Sequence, residues 1–505
     1  MPRGGAPESP YRPAHVRRPV LRSRKVAHRG CMRQILKASA IMGGSSLATI
    51  LAGIVRAKII ALLLGPSGVG LLGLYRSFIT VSSTVAGLGI NAPGISTIAD
   101  ARARGDEEVP GQVRVAVETC SAIVSLAGAI ILVVFREPLS RVVFGGAVEA
   151  VTVGWLGLGV MAMVVSVGQV AILNGLRRLG DMALVAIFSA VASVLVAFVA
   201  VWRFGETGVL IAAVAIPVTA LGASSYFVVR ALGAPRAALS RQALLKLIVR
   251  LVRPGVVFMV TALISLVVPL IIRVILINRL GVHATGYFEA AWGISMLYLG
   301  FILQAMGTDY FPRLSEVSTD RARINSIFNE QVEASLLLAA PAIVGMLTLS
   351  PLVISVLYSG AFAESVEILR WQLLGDIPKV VGWSMSIVLA AQTRQLEFFV
   401  VEMVWAVTYV VTLYVGLDVW GLEATGIGFL LSYIVYVVCI WAVLHRTGTI
   451  KPKRRVLVLT GALFLIGAAV SAVAPIEGWG LGIGLLCTAG LAAYSFRTIV
   501  NHLRR

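Results

Sequence analysis

Apolar residues run along the chain in blocks of about twenty, divided by short stretches rich in Arg, Lys, Gly and Pro. At a rise of about 1.5 Å per residue, each block is long enough as a helix to cross a hydrocarbon layer about 30 Å thick. Fourteen such blocks are delimited, at 38–64, 68–94, 112–135, 149–173, 182–202, 207–230, 255–278, 285–311, 330–349, 366–391, 396–416, 421–444, 456–474 and 478–497. The pattern predicts an all-α polytopic membrane protein with about 14 transmembrane helices. Composition agrees: 58% of the 505 residues are hydrophobic and only 13% charged, with a mean hydropathy of +0.91. A soluble fold of this length could not bury that much apolar surface.

The blocks carry an internal repeat. Leu64-Gly65 followed by Gly70 recurs 216 residues later as Leu280-Gly281 followed by Gly286. Pro93 and Ser96 recur 219 residues later as Pro312 and Ser315. The repeat predicts two pseudo-symmetric six-helix lobes, 37–230 and 255–446, related about an axis along the membrane normal, with two extra C-terminal helices in 447–505. Between the lobes, residues 231–254 include the stretch LSRQALLKLIVRLVRP. There Lys246, Arg250 and Arg253 share one helical face and Leu244, Leu245, Ile248 and Val252 lie mostly opposite. This reads as an amphipathic linker helix lying on the cytoplasmic leaflet. Residues 1–36 form a basic tail, disordered over 1–31, with Met32 as an alternative start.

The net charge of +19 would suit a nucleic-acid partner, but its distribution points elsewhere. Of 43 Lys and Arg, 33 fall in the segments on the side of the N-terminus, four (Arg136, Arg141, Arg203, Arg279) on the other side, and six inside spans. That is the positive-inside pattern of a multi-pass protein with both termini cytoplasmic, and it needs no nucleic acid. The cysteines Cys31, Cys120, Cys439 and Cys487 stand singly, and no His, Cys or acid spacing suggests a metal site or cofactor. The glycines after Leu64 precede no Gly-Lys-Ser/Thr, so they form a turn and no phosphate-binding loop. The predicted outer loops are too short to house a catalytic site, which argues against an enzyme such as a polyprenyl-sugar polymerase.

The six cations within spans are the chemistry-bearing feature. Arg56 and Lys58 sit in the first span, Arg76 in the second, Arg273 in the seventh, and Arg370 and Lys379 in the tenth. A basic residue at the centre of a lipid-embedded helix costs roughly 2.5–3.5 kcal/mol on insertion scales. Snorkelling explains Arg76 and Arg370; it is a weaker account of Lys58, Arg273 and Lys379. Because all six occupy similar depths, they predict a cationic cavity shared by the lobes and suited to a phosphate or diphosphate. Arg56 and Lys58 project about 200° apart on a helix, so only one of them faces such a cavity squarely. The buried acids are Glu289, Asp376 and Glu402. Each is read either as a member of a lobe-fixing ion pair, such as Asp376 with Lys379, or as a binding site for a coupling H⁺ or Na⁺.

The stretch 371-WQLLGDIPKV-380, with Lys58 before the GPSGVG turn, 75-YRSFITV-81, 174-NGLRR-178, Pro217, Pro269, Glu402 and 433-YIVY-436, resembles the Wzx-type lipid-linked oligosaccharide flippases. These belong to the polysaccharide-transporter branch of the multidrug/oligosaccharidyl-lipid/polysaccharide exporter superfamily, and the resemblance is nearest to the lipid III (enterobacterial common antigen) flippases. It implies a V-shaped bundle in a bacterial inner membrane. Such a bundle moves a polyprenyl-diphosphate-linked oligosaccharide (an O-antigen, common-antigen or exopolysaccharide unit) by alternating access driven by an ion gradient, with polysaccharide polymerase and chain-length proteins as partners. It carries functional weight to Lys58, Arg76, Asp376, Lys379 and Glu402, and none to Arg56, Arg273, Glu289 or Arg370. Fourteen spans rather than twelve keep a lipid II flippase open as an alternative. A drug/cation antiporter of the same superfamily is the other, though it would favour acids in the first span.

Overall fold

The computed structural model describes residues 22–106, 108–233, 239–474 and 480–503. Fourteen α-helices account for nearly all of these. They are α1 (Arg22–Ala86), α2 (Asn91–Ala103), α3 (Glu108–Val134), α4 (Arg136–Phe144), α5 (Ala150–Gly175), α6 (Leu179–Phe204), α7 (Glu206–Leu232), α8 (Arg241–Glu316), α9 (Arg321–Leu357), α10 (Ser365–Ala391), α11 (Gln395–Trp420), α12 (Ala424–Arg446), α13 (Arg454–Val473) and α14 (Gly480–Leu503). Residues 22–31, expected to be disordered, are helical backbone continuous with the first span; the rest of the basic tail before them lies outside the described residues.

Eleven stretches among the described residues are apolar and long enough to cross a membrane, and three of them, 46, 64 and 52 residues long, hold two crossings each. In α1 and α8 the break falls at the repeat-related glycines. Gly65 (φ 64°) and Gly281 (φ 84°) leave the helical region for backbone conformations that cost most L residues steric strain. Pro66 follows Gly65 as the first residue of the next helix, where its missing N–H removes no bond. Fourteen crossings therefore result.

The helices pack as two lobes of six crossings. In the first, α3, α5, α6 and α7 surround the two arms of α1; in the second, α9 to α12 surround the two spans of α8. The lobes meet chiefly along α1 and α8. The core of each is aliphatic and aromatic, with Phe144, Phe288, Tyr310, Phe328, Tyr409 and Phe429 fully buried. Large apolar side chains such as Trp155, Trp202, Phe258 and Phe496 cover the outside, as a bundle whose solvent is lipid requires.

The linker helix packs its apolar face on the first lobe. The first turns of α8 do not rest against lipid alone: Leu251 is buried among Ile90, Ile98, Val113 and Val117 of the first lobe, with Leu244, Leu247, Ile248 and Val252 packed beside it. Leu245, grouped with the apolar face, is exposed with Val249, while Lys246, Arg250 and Arg253 face outward. The apolar ends of α2 and α3 need cover, and this helix supplies it. The last two helices, α13 and α14, dock on α9. A methyl group at Gly345 would already press on Thr488 at 3.3 Å, and the side chain of Thr348 occupies the space beside Gly484. Asn325 and Asn329 of α9 hold the connecting strap by accepting from the Lys451 and Lys453 amides at 2.7 and 2.6 Å.

Candidate functional site

A cavity of about 1150 Å³ lies between the lobes. Its wall is built from the first arm of α1 (Met42 to Ala57), the second arm (Val69 to Arg76), the second span of α8 (Glu289 to Gln304), and Leu357 and Tyr358 at the end of α9. Small residues on these helices, among them Gly43, Gly53, Gly73, Gly293 and Gly300, keep the space open. Side-chain hydrogen bonds join the lobes at one end of the bundle. Lys58 Nζ donates to the carbonyls of Tyr358 at 2.5 Å and Ser355 at 3.2 Å, and Asn278 Nδ2 donates to that of Val142 at 3.1 Å. All three lie at the end of the bundle carrying the Gly65 and Gly281 turns, so that end is closed. The cavity extends from there toward Met42 and Gln304 at the opposite end.

The structure divides the six membrane cations. Arg56 and Arg76 are on the cavity wall. Arg56 is only 6% exposed; its Nη1 donates to Ser193 Oγ of α6 at 3.0 Å, and its Nε has no hydrogen-bond partner. Arg76 is exposed to the cavity. The other four are engaged elsewhere. Lys58 is bound to the end of α9 as described. Arg273 forms an ion pair with Glu289, donates to the Pro269 carbonyl at 2.7 Å and lies 5.4 Å from the Phe288 ring centre. Arg370, 4% exposed, donates to Glu367 Oε1 at 2.5 Å within its own helix. Lys379 is 3.8 Å from Asp376 Oδ1 and sits between the Phe429 and Tyr433 rings at 5.2 and 5.5 Å.

Glu289 is the cavity's carboxylate. It reaches across to the first lobe and fills the space over Gly73, where any Cβ would collide with it. Paired with Arg273, it leaves the positive charge of Arg56 and Arg76 unbalanced on this wall. Asp376 is fully buried in the second lobe. Its Oδ2 accepts from Ser295 at 2.9 Å and Tyr298 at 2.5 Å, while Oδ1 lacks a hydrogen-bond partner. Glu402 accepts from Tyr436 at 2.7 Å. Lys379 connects this cluster to the cavity, since its Nζ lies 3.5 Å from the sulfur of Met296, a wall residue. Sequence reasoning missed Ser193, Ser295, Tyr298 and Tyr358. Each is an ordinary residue on a distant helix whose role exists only once the helices pack.

Residues 59–367 match the family model described as "Polysaccharide biosynthesis protein". The chain belongs to that family. The lipid III flippase of Escherichia coli (strain K12) is 24% identical to this chain over 409 residues, covering 80% of this chain and 96% of the relative. Solved structures share the fold. The lipid II flippase MurJ in its inward closed conformation superposes with a TM-score of 0.70 at 15% identity, covering 92% of this chain and 100% of that one. An inward-facing multidrug resistance MATE family transporter of the MOP superfamily scores 0.65 at 18% identity, covering 82% and 96%.

Proposed function

We propose that this polysaccharide biosynthesis protein is a flippase for a polyprenyl-diphosphate-linked oligosaccharide, carried from the cytoplasmic to the periplasmic leaflet of a bacterial inner membrane. The observation that carries the reading is the pair of guanidinium donors Arg56 and Arg76 on the wall of the inter-lobe cavity, neither of which forms an ion pair with a carboxylate among the described residues. In a low-dielectric cleft such donors favour a phosphate or diphosphate, which matches the guanidinium fork two oxygens at a time. Each charge-assisted contact contributes on the order of 1.5–3 kcal/mol. The lipid III flippase relative supports the same class of cargo. A drug cation would be repelled by this wall, which ranks the antiporter alternative lower.

The closed end at the Gly65 and Gly281 turns is the outer one on the charge distribution of the loops, so the cavity faces inward, ready to load. An alternating-access cycle would then separate the lobes at the turn end and join them at the other. The Asp376–Lys379–Glu402 cluster of the second lobe, with Asp376 fully buried, is where an H⁺ or Na⁺ gradient would act.

Deleting the gene and analysing the accumulated lipids tests the proposal. Build-up of a polyprenyl-diphosphate oligosaccharide on the cytoplasmic leaflet, cleared by the native gene and not by Arg76→Ala, is the expected result. Accumulated peptidoglycan precursor would move the assignment to lipid II. Unchanged lipids with altered drug sensitivity would reject it.

A further inference from the structure

Lys58 stands among the cations that an anion-carrying cavity would claim, yet its ammonium is spent on the opposite lobe. It projects from the first arm of α1 to the carbonyl oxygens of Ser355 and Tyr358, at 3.2 and 2.5 Å. These belong to the end of α9, where the last carbonyls of a helix have no intrahelical donor and the aligned peptide dipoles amount to roughly half a negative charge. The Ile354 carbonyl is already taken by the Tyr358 amide. At Tyr358 the backbone leaves the helix (φ −120°, ψ −101°), so Lys58 satisfies carbonyls that α9 itself cannot.

We propose that Lys58 is a positioning residue, an inter-lobe latch that holds the turn end of the cavity shut and lets go when an anionic head group is loaded. The proposal rests on the flippase reading for its ligand and on the geometry for its action. The latch is built next to the wall: Ala57 on one side of it and Leu357 and Tyr358 on the other line the cavity, and Arg56 is two residues away. A phosphate held on this wall brings a full negative charge into the cavity that Leu357 and Tyr358 also line, whereas the ammonium's hydrogen bonds among the described residues are to carbonyl dipoles. The full charge is the stronger attractor, so loading weakens the bond that keeps the far side closed. Such an order, loading before opening, is what one-way delivery requires.

Sided labelling of a reporter cysteine tests this without a transport assay. Leu72→Cys, on the cavity wall, is introduced into protein whose four native cysteines are replaced. Membrane vesicles of known orientation are then treated with an impermeant maleimide on the face carrying the turns. With Lys58 present, labelling from that face is expected to be slow; Lys58→Met should raise it several-fold and Lys58→Arg should keep it slow. Lys58→Gln serves as a second uncharged variant should the methionine form fold poorly. Unchanged labelling in a folded, uncharged variant overturns the latch. If flipping is lost in that same variant, Lys58 is a cargo ligand and the flippase reading stands. If native protein flips no lipid-linked sugar while Lys58→Met still speeds labelling, the latch stands and the cargo assignment falls.

Discussion

Gly70 and Gly286 pack into one another's turns. A methyl group at 70 would lie 2.6 Å from the Val282 carbonyl oxygen and 2.7 Å from the Gly286 amide nitrogen; one at 286 would lie 2.6 Å from the Pro66 carbonyl carbon. Pro66 and Val282 are themselves repeat partners, each directly following a positive-φ glycine. The contact is therefore reciprocal: each lobe presents the same turn to the same glycine of the other. Two helices approach this closely only where both lack side chains, and here the approach seals the end of the cavity.

Gly286→Ala should break that seal. The obstructing atoms are backbone, so no rotamer change relieves the clash, and overpacking of this kind costs about 1–3 kcal/mol. The strain falls on the closed state alone, so the lobes should part at the turn end. Impermeant labelling of Leu72→Cys from that side is expected to rise severalfold. Gly222→Ala, away from the cavity and with nothing within 4 Å, serves as the control and should leave labelling unchanged. Equal labelling in the two variants would mean that the glycine contact does not hold the closure.

The Gly65/Gly281 repeat was legible because glycine at a left-handed turn is a backbone requirement that sequence displays directly. The fourteen crossings were legible because length and hydropathy alone decide them. Pairing was not. Arg273 and Lys58 look alike in an apolar run, yet one is neutralised by Glu289 sixteen residues on and the other by carbonyls about three hundred residues on. Nothing local distinguishes them from Arg76, which stays open to the cavity. The amphipathic pattern of the linker likewise states that one face needs cover, and is silent on the residues that supply it, here Ile90, Ile98, Val113 and Val117.

The Arg273–Glu289 pair should behave as a unit. Removing one partner of a buried pair leaves an uncompensated charge and typically costs 3–5 kcal/mol, whereas replacing both is far milder. Arg273→Met and Glu289→Gln should each lower the melting temperature in detergent, and the double variant should recover much of the loss. Additive losses in a double-mutant cycle would show that the two act independently.

Asp376→Asn separates the structural from the energetic role of the second-lobe cluster. The amide oxygen still accepts from Ser295 and Tyr298, so the fold should persist, while the charge facing Lys379 disappears. Flipping in vesicles carrying an imposed H⁺ or Na⁺ gradient should fall to the rate seen without one. A gradient response equal to that of the native protein would leave Asp376 as a packing residue only.

Arg56 and Arg76 should differ in what their loss costs. Arg76 projects into the cavity, so Arg76→Ala removes head-group contacts and little else. Loss of one charge-assisted bond predicts a fall of about 10- to 100-fold in diphosphate affinity at unchanged stability. Arg76→Lys keeps the charge without the planar fork and should fall between. Arg56, buried and bonded to Ser193, also ties α1 to α6. Arg56→Ala should therefore lose affinity and, through an orphaned serine and a new void, about 1–3 kcal/mol of stability. Titrating purified protein with a polyprenyl diphosphate while following thermal unfolding reads both quantities at once. Should both variants lose stability while binding stays intact, the two arginines serve the packing of the first lobe, and the anion must be held by other groups.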